Sequence, residues 1–167
     1  MDAIEVIIEI PRGSRNKYEY DHVSGVIRLD RVLHSAVHYP ADYGFVPETL
    51  SKDGDPLDVL VLTLDPTFPG CHVPARPVGV LRMIDDKGED EKILAVPAGD
   101  PRFDDILDLE NLHGHWLREI ENFFATYKLL EAKDTELLGW SGAGAAGKVI
   151  EEARRRQREM INEATAP

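Results

Sequence analysis

The 167-residue chain is short of positive charge: 19 lysines and arginines stand against 31 acids, for a net charge of −12. Without a basic footprint it is not expected to bind nucleic acid. Nor is it expected to adhere to an anionic membrane surface. It has one cysteine, Cys71, which excludes an intrachain disulfide and suits a reducing cytoplasm. No apolar run approaches the roughly 20 residues of a membrane span. The acidic start Met1-Asp2-Ala3-Ile4-Glu5 lacks the basic and apolar regions of a signal peptide. There is no internal repeat and no dividing linker, so residues 1–167 are expected to form one domain, long enough to build a core without staples.

What the chain does have is concentrated acid. Residues 53–58 hold Asp53, Asp55 and Asp58, and residues 85–91 hold Asp85, Asp86, Glu89, Asp90 and Glu91 against the single Lys87. The excess negative charge is therefore mostly a property of two short segments.

The first two-thirds reads as β-structure. Val6–Ile10 is a β-branched run closed by Pro11, and a strand is expected there. Residues 17–21 and 26–29 flank Ser24-Gly25 as a hairpin. Asp58–Thr63 reads as a buried strand, Val73–Ile84 as one strand bent at its prolines, and Ile93–Val96 as another. Short strands with Gly and Pro turns suggest a small barrel rather than βαβ units.

The last third reads as helix. Trp116, Leu117, Ile120, Phe123, Phe124, Tyr127 and Leu130 recur at three- and four-residue steps, an apolar stripe. Ala146, Val149, Ile150, Ala153, Met160 and Ile161 form a second, with Ser141 as its expected cap. Beyond Arg154 the chain is polar, and residues 155–167 are expected to fray as a helical or disordered tail. The expected architecture is α+β: an OB-like barrel of about five strands with two main C-terminal helices alongside.

In Asp53-Gly54-Asp55-Pro56-Leu57-Asp58, three carboxylates crowd a turn that Gly54 and Pro56 keep tight. Hard cations among the oxygens would stabilise such a cluster, whereas the plain alternative is a solvated acidic turn. An EF-hand is excluded, because Leu57 and Leu64 fall where oxygen ligands are needed. Asp85 to Lys92 reads either as an exposed hairpin tip or as the second half of a multi-ion site, which needs carboxylates from several segments. Lys17, Arg31, Lys92 and Lys128, with Tyr18, Tyr39, Tyr43 and Tyr127, supply groups that bind phosphate. Taken singly, each of these has an ordinary surface or core role.

Three other patterns lead nowhere. Gly142 to Lys148 has the spacing of a phosphate-binding loop, but Val149 follows where Ser or Thr should stand. A Nudix-like reading of Glu110, Arg118 and Glu119 fails at Asn122, Phe123 and Ala125. The six scattered histidines show no zinc-protease motif.

In order along the chain come Ile8-Glu9-Ile10-Pro11, Asn16-Lys17-Tyr18-Glu19, Asp30-Arg31, Tyr39-Pro40-Ala41-Asp42-Tyr43-Gly44, Asp53 to Val59 (D-G-D-P-x-D-V), Arg76-Pro77-Val78-Gly79, Asp85 to Lys92, and Phe123 to Lys128. Together they resemble the family I soluble inorganic pyrophosphatases of the bacterial type. The resemblance implies hydrolysis of pyrophosphate to two phosphates by direct attack of metal-activated water. It implies several Mg²⁺ ions per site, with Mn²⁺ or Zn²⁺ as substitutes.

By the same resemblance Asp53, Asp58 and Asp90 would bind the tightest metal. Asp58 would bridge to a second, Asp85 and Asp90 would hold a third, and Glu9 a further one. Asp55 would be the general base, with Asp90 as its rival. Lys17, Arg31, Tyr43, Lys92, Tyr127 and Lys128 would hold the phosphates, with Glu19, Tyr39 and Asp86 lining the pocket. The partner implied is pyrophosphate with metal, and relatives of this type are commonly homohexamers. The alternatives are a non-enzymatic divalent-cation-binding OB-like module and an inactive pyrophosphatase homologue. Departures from the family pattern are Asp86, Thr126 and the stretch Glu131–Leu138.

Overall fold

The computed structural model describes residues 2–165. Its strands are β1 (Ile4–Ile10), β2 (Asn16–Asp21), β3 (Val26–Val32), β4 (Asp42–Val46), β5 (Leu57–Val61), β6 (His72–Asp85), β7 (Gly88–Pro97) and β8 (Glu136–Gly142). The helices are α1 (Gly114–Thr126) and α2 (Ala143–Thr165). No helix among the described residues is long and apolar enough to cross a membrane.

The sheet runs β1-β4-β5-β7-β6-β8, and β1 pairs with β6 as well. Strands β1, β4, β5, β7 and β6 therefore form a closed cycle of pairings, as expected for an OB-like barrel of about five strands. The split is staggered along β1: Ile4 to Ile7 face β6, while Ile7 to Ile10 face β4. β8 extends the sheet beyond β6, and β2 with β3 makes a separate hairpin.

Side-chain alternation along the strands builds two cores. Ile4, Val6, Ile8, Leu57, Val59, Val61, Ile93 and Ala95 pack with Ala146, Val149, Ile150 and Ala153 of α2. Ile10, Tyr43, Leu60, Leu62, Leu81, Met83, Leu94 and Val96 pack with Ile120, Phe123 and Phe124 of α1. Burying apolar area on both faces is the main force that holds the sheet. Gly44 lets β1 and β4 approach closely, since a Cβ there would lie 1.9 Å from the carbonyl oxygen of Ile7.

Several expectations need correction. β4 and β8 were not foreseen. Leu130 leaves the apolar stripe of α1 and is exposed in the middle of a 3₁₀ turn, Leu129–Glu131. Met160 and Ile161 are likewise exposed on α2. Helix α2 runs through Thr165, and residues 166–167 of the expected tail lie outside the described residues. Ser141 belongs to β8 and does not cap α2. The cap is Asp108, whose Oδ2 accepts from the Ala143 N–H at 3.1 Å. A strand does precede the glycine-rich run, but the Asp108 carboxylate sits against its first glycine, 2.5 Å from where a Gly142 Cβ would be.

Candidate active site

The faces that carry the α1-side core turn charged at one rim. On β5, Asp58 shares its face with Leu60; on β7, Asp90 and Lys92 share theirs with Leu94; on β6, Asp85 follows Leu81 and Met83. β5 and β7 are parallel neighbours, with Asp58 opposite Lys92. Their leading ends therefore lie side by side, and so do the segments before them. This is why two acid-rich turns about 30 residues apart reach one place. Asp53, Asp55, Asp58, Asp85, Asp86 and Asp90 line one cavity of about 460 Å³, together with Glu9, Lys17, Glu19, Arg31, Tyr43, Lys92, Tyr127 and Lys128.

Lys92 is the most deeply placed cation, with 3% of its side chain exposed. Its Nζ lies 2.7 Å from Asp58 Oδ2 and 2.9 Å from Asp90 Oδ2. It also donates to the Tyr43 hydroxyl at 2.9 Å, and that hydroxyl donates to Asp58 Oδ2 at 2.5 Å. The ammonium stands 5.3 Å from the Tyr43 ring centre and 5.1 Å from that of Phe124, within cation–π range. Burial alone would push the Lys92 ammonium down, but Asp58, Tyr43 and Asp90 hold it well above its ordinary value. Burial raises the Asp90 carboxyl, against the pull of Lys92. Burial and the Asp58 charge raise the Tyr43 phenol, keeping it a neutral donor.

A second cluster forms just past α1. Tyr127 caps the helix, and Lys128 follows it. Lys128 Nζ lies 2.9 Å from Asp85 and 3.0 Å from Asp86, and Lys133 lies 2.9 Å from Asp86. Burial works against the charge on Lys128, but its bonds to Asp85 and Asp86 outweigh that and raise it. Lys133 and Asp86 are 47 positions apart, and no sequence pattern pairs them.

The β2–β3 hairpin supplies the third cluster. Lys17 stands opposite Arg31, where like charges repel. Asp30 resolves the conflict, its Oδ2 accepting from Lys17 Nζ at 3.1 Å and from Arg31 Nη1 at 2.6 Å. Lys17 also pairs with Glu19. Arg31 meets Glu131 as well.

Glu9 owes its position to a bulge. Ile8 pairs with Gly44 and Ile10 with Tyr43, so Glu9 is the extra residue between them. Its Oε1 accepts from the Tyr20 N–H at 2.7 Å. Burial pushes its carboxyl up to about 7, opposed by that hydrogen bond and reinforced by Asp58.

The acid turn before β5 is folded on itself: Asp53 Oδ1 accepts from the Asp55 N–H at 3.1 Å, and Gly54 has φ 91°. That left-handed conformation suits glycine. Two lysine bridges run in opposite directions between this turn and the β6–β7 turn. Lys87 reaches Asp55 at 3.0 Å, and Lys52 pairs with Glu89. One expected wall residue is elsewhere: Tyr39 is 2% exposed, packed behind Tyr43 with ring centres 5.4 Å apart, and does not line the cavity.

Among the described residues, no three His, Cys, Asp or Glu side chains already stand at metal-ligand spacing; lysines hold many of the carboxylates. The donor set nonetheless suits hard divalent cations. It is all carboxylate, it comes from β1, the turn before β5 and the β6–β7 hairpin, and it surrounds one cavity.

Comparison with known proteins agrees with this construction. The structure is similar to that of the inorganic pyrophosphatase of Thermus thermophilus, with a TM-score of 0.92 and 47% identity over 94% of this chain and 92% of that one. In sequence the chain is 56% identical to the inorganic pyrophosphatase of Methanosarcina mazei, over 93% of its own length and 92% of the relative's. It is 51% identical to that of Geobacillus stearothermophilus, over 94% and 95%. The family model described as inorganic pyrophosphatase matches residues 6–158. The chain belongs to the inorganic pyrophosphatase family.

Proposed function

We propose that this protein hydrolyses inorganic pyrophosphate to two phosphates, with Mg²⁺ as its metal. The observation that carries this reading is one cavity that gathers Asp53, Asp55, Asp58, Asp85 and Asp90 together with Lys17, Arg31, Lys92 and Lys128. A pure cation site has no use for four cations, and a bare phosphate site has no use for five aspartates. The metal is held by Asp53, Asp58 and Asp90, with Asp85 and Glu9 serving further ions. When bound, divalent ions offset the carboxylate charge and lower the pKa of a coordinated water.

The chain's own residues supply position and charge. Lys17, Arg31, Lys92 and Lys128 take the phosphate oxygens, and Tyr43 and Tyr127 add neutral donors. Phosphoryl transfer depends mostly on such placement and charge stabilisation. Asp55 sits on an exposed turn, with 63% of its side chain open, and is assigned as the proton acceptor; Asp90 is the rival. Glu19 and Asp86 belong to the cavity wall. The lone Cys71 and the family's habit support a cytoplasmic, homohexameric protein.

The test is phosphate release from pyrophosphate by the purified chain, with Mg²⁺ and again with excess EDTA. Release with Mg²⁺ that EDTA abolishes is expected. Folded protein that releases none would return the site to the non-enzymatic reading.

A further inference from the structure

Arg31 is held along two edges. Its Nε donates to Glu131 Oε1 at 3.1 Å, and its Nη2 meets Glu131 Oε2 at 3.1 Å, a two-point fork. Its Nη1 donates to Asp30 Oδ2 at 2.6 Å. A guanidinium has five N–H donors and no acceptor. Three are used here, which leaves one on each terminal nitrogen. Glu131 is well covered, with 9% of its side chain exposed against 26% for Arg31.

The two residues are 100 positions apart. Glu131 reaches Arg31 from the 3₁₀ turn that starts directly after Lys128 and closes on Ala132, which is left-handed at φ 54°. The fork therefore ties β3 to the 3₁₀ turn that directly follows Lys128, another of the proposed phosphate-binding cations. This turn opens the stretch Glu131–Leu138, where the chain departs from the family pattern.

We propose that Glu131 is a positioning residue: it fixes the guanidinium of Arg31 so that its two remaining donors are set for phosphate before substrate arrives. The inference rests on the reading above, in which Arg31 binds phosphate. An arginine left to itself samples many rotamers, and ordering it on binding costs affinity. Held in advance, it does not pay that cost again. The negative charge of Glu131 would on its own repel phosphate, so the two effects oppose each other and the sign can be measured.

The experiment uses the full chain at saturating Mg²⁺, with initial rates across a range of pyrophosphate. Glu131→Gln keeps the shape and removes the charge-assisted fork. Its kcat/KM should fall about tenfold, mostly through a higher KM, as expected for a charged two-point contact. In an Arg31→Lys background, where no two-point fork can form, the same change should alter kcat/KM less than about twofold. Glu131→Asp should recover part of the loss, and it serves the same comparison should Glu131→Gln fold poorly. An unchanged or lowered KM in the single variant overturns the proposal. So do losses that simply multiply in the double variant. Hydrolysis by the unaltered protein is the control. Its absence sinks the functional reading and the proposal with it, whereas an active protein indifferent to Glu131 sinks the positioning role alone.

Discussion

Asp58 and Lys92 face one another across the parallel β5–β7 pair, and their charged ends meet at 2.7 Å. The register of two strands thus places an ammonium between two carboxylates at the mouth of the core. Removing one member of such a buried pair leaves the others uncompensated, at a cost of about 3–5 kcal/mol. Lys92→Met should therefore lower the thermal midpoint by about 10 °C or more in EDTA. Mg²⁺ should return part of the loss by serving as the missing positive charge. A midpoint in EDTA equal to that of the unaltered protein would show the pair to be energetically idle.

Glu9 predicts a pH dependence. Its carboxyl is raised from 4.5 to about 7 by burial. The folded chain then keeps a proton that the unfolded chain releases, so this contribution is full below about pH 4.5 and is lost as pH rises through 7. In EDTA, the stability difference between the unaltered protein and Glu9→Gln should shift over that window in favour of the variant. Urea midpoints at pH 4.5, 5.5 and 7.5 would measure it. A constant difference would place Glu9 in contact with water.

Asp55 is the acid of the cavity whose neighbours are a lysine and a turn rather than a core. Asp55→Asn should cut kcat by about 10²–10⁴-fold, the usual range for a lost acid–base group. The fold and Mg²⁺ binding should remain, as read by circular dichroism and calorimetry. Near-normal turnover would move the proton acceptor to Asp90.

Gly44 predicts a packing failure. A methyl group there would meet the Ile7 carbonyl at 1.9 Å and the Ile8 Cα at 2.8 Å, both rigid backbone. Gly44→Ala should cost at least the roughly 1–3 kcal/mol of an overpacked core. It should also disturb the bulge that presents Glu9. Denaturant midpoints give the first effect and Mg²⁺ titration the second.

The strands whose residues alternate or run β-branched were readable from the sequence, as were the buried stretches of both helices. β4 was hidden because Asp42-Tyr43-Gly44-Phe45-Val46 carries a glycine and an acid, and every one of its residues is buried, so no alternation marks it. β8 was hidden for the opposite reason: Glu136 to Gly142 is half-exposed and holds two glycines. The tail of α2 beyond Arg154 carries only two large apolar residues, Met160 and Ile161, and both are exposed. Most of the residues that line the cavity stand in dense motifs. Lys87, Glu131 and Lys133 pair with side chains far along the chain, and nothing local marks such a partner. Tyr39 and Tyr43 share one motif, and the sequence does not say that the Tyr43 ring faces the cavity with the Tyr39 ring packed behind it.

The closed cycle of strands also sets an order of events. β1 is synthesised first, yet one partner, β4, begins at Asp42 and the other, β6, at His72. Until β6 and β7 exist the cycle is open, and Ile4 to Ile7 of the first strand lack their β6 partner. Glu9 rides on that strand, while Asp85, Asp90 and Lys92 lie on the last two to join. Closing the sheet thus brings Glu9 to one rim with Asp85, Asp90 and Lys92, and the cavity is completed only later in the chain, when Tyr127 and Lys128 follow α1 into place.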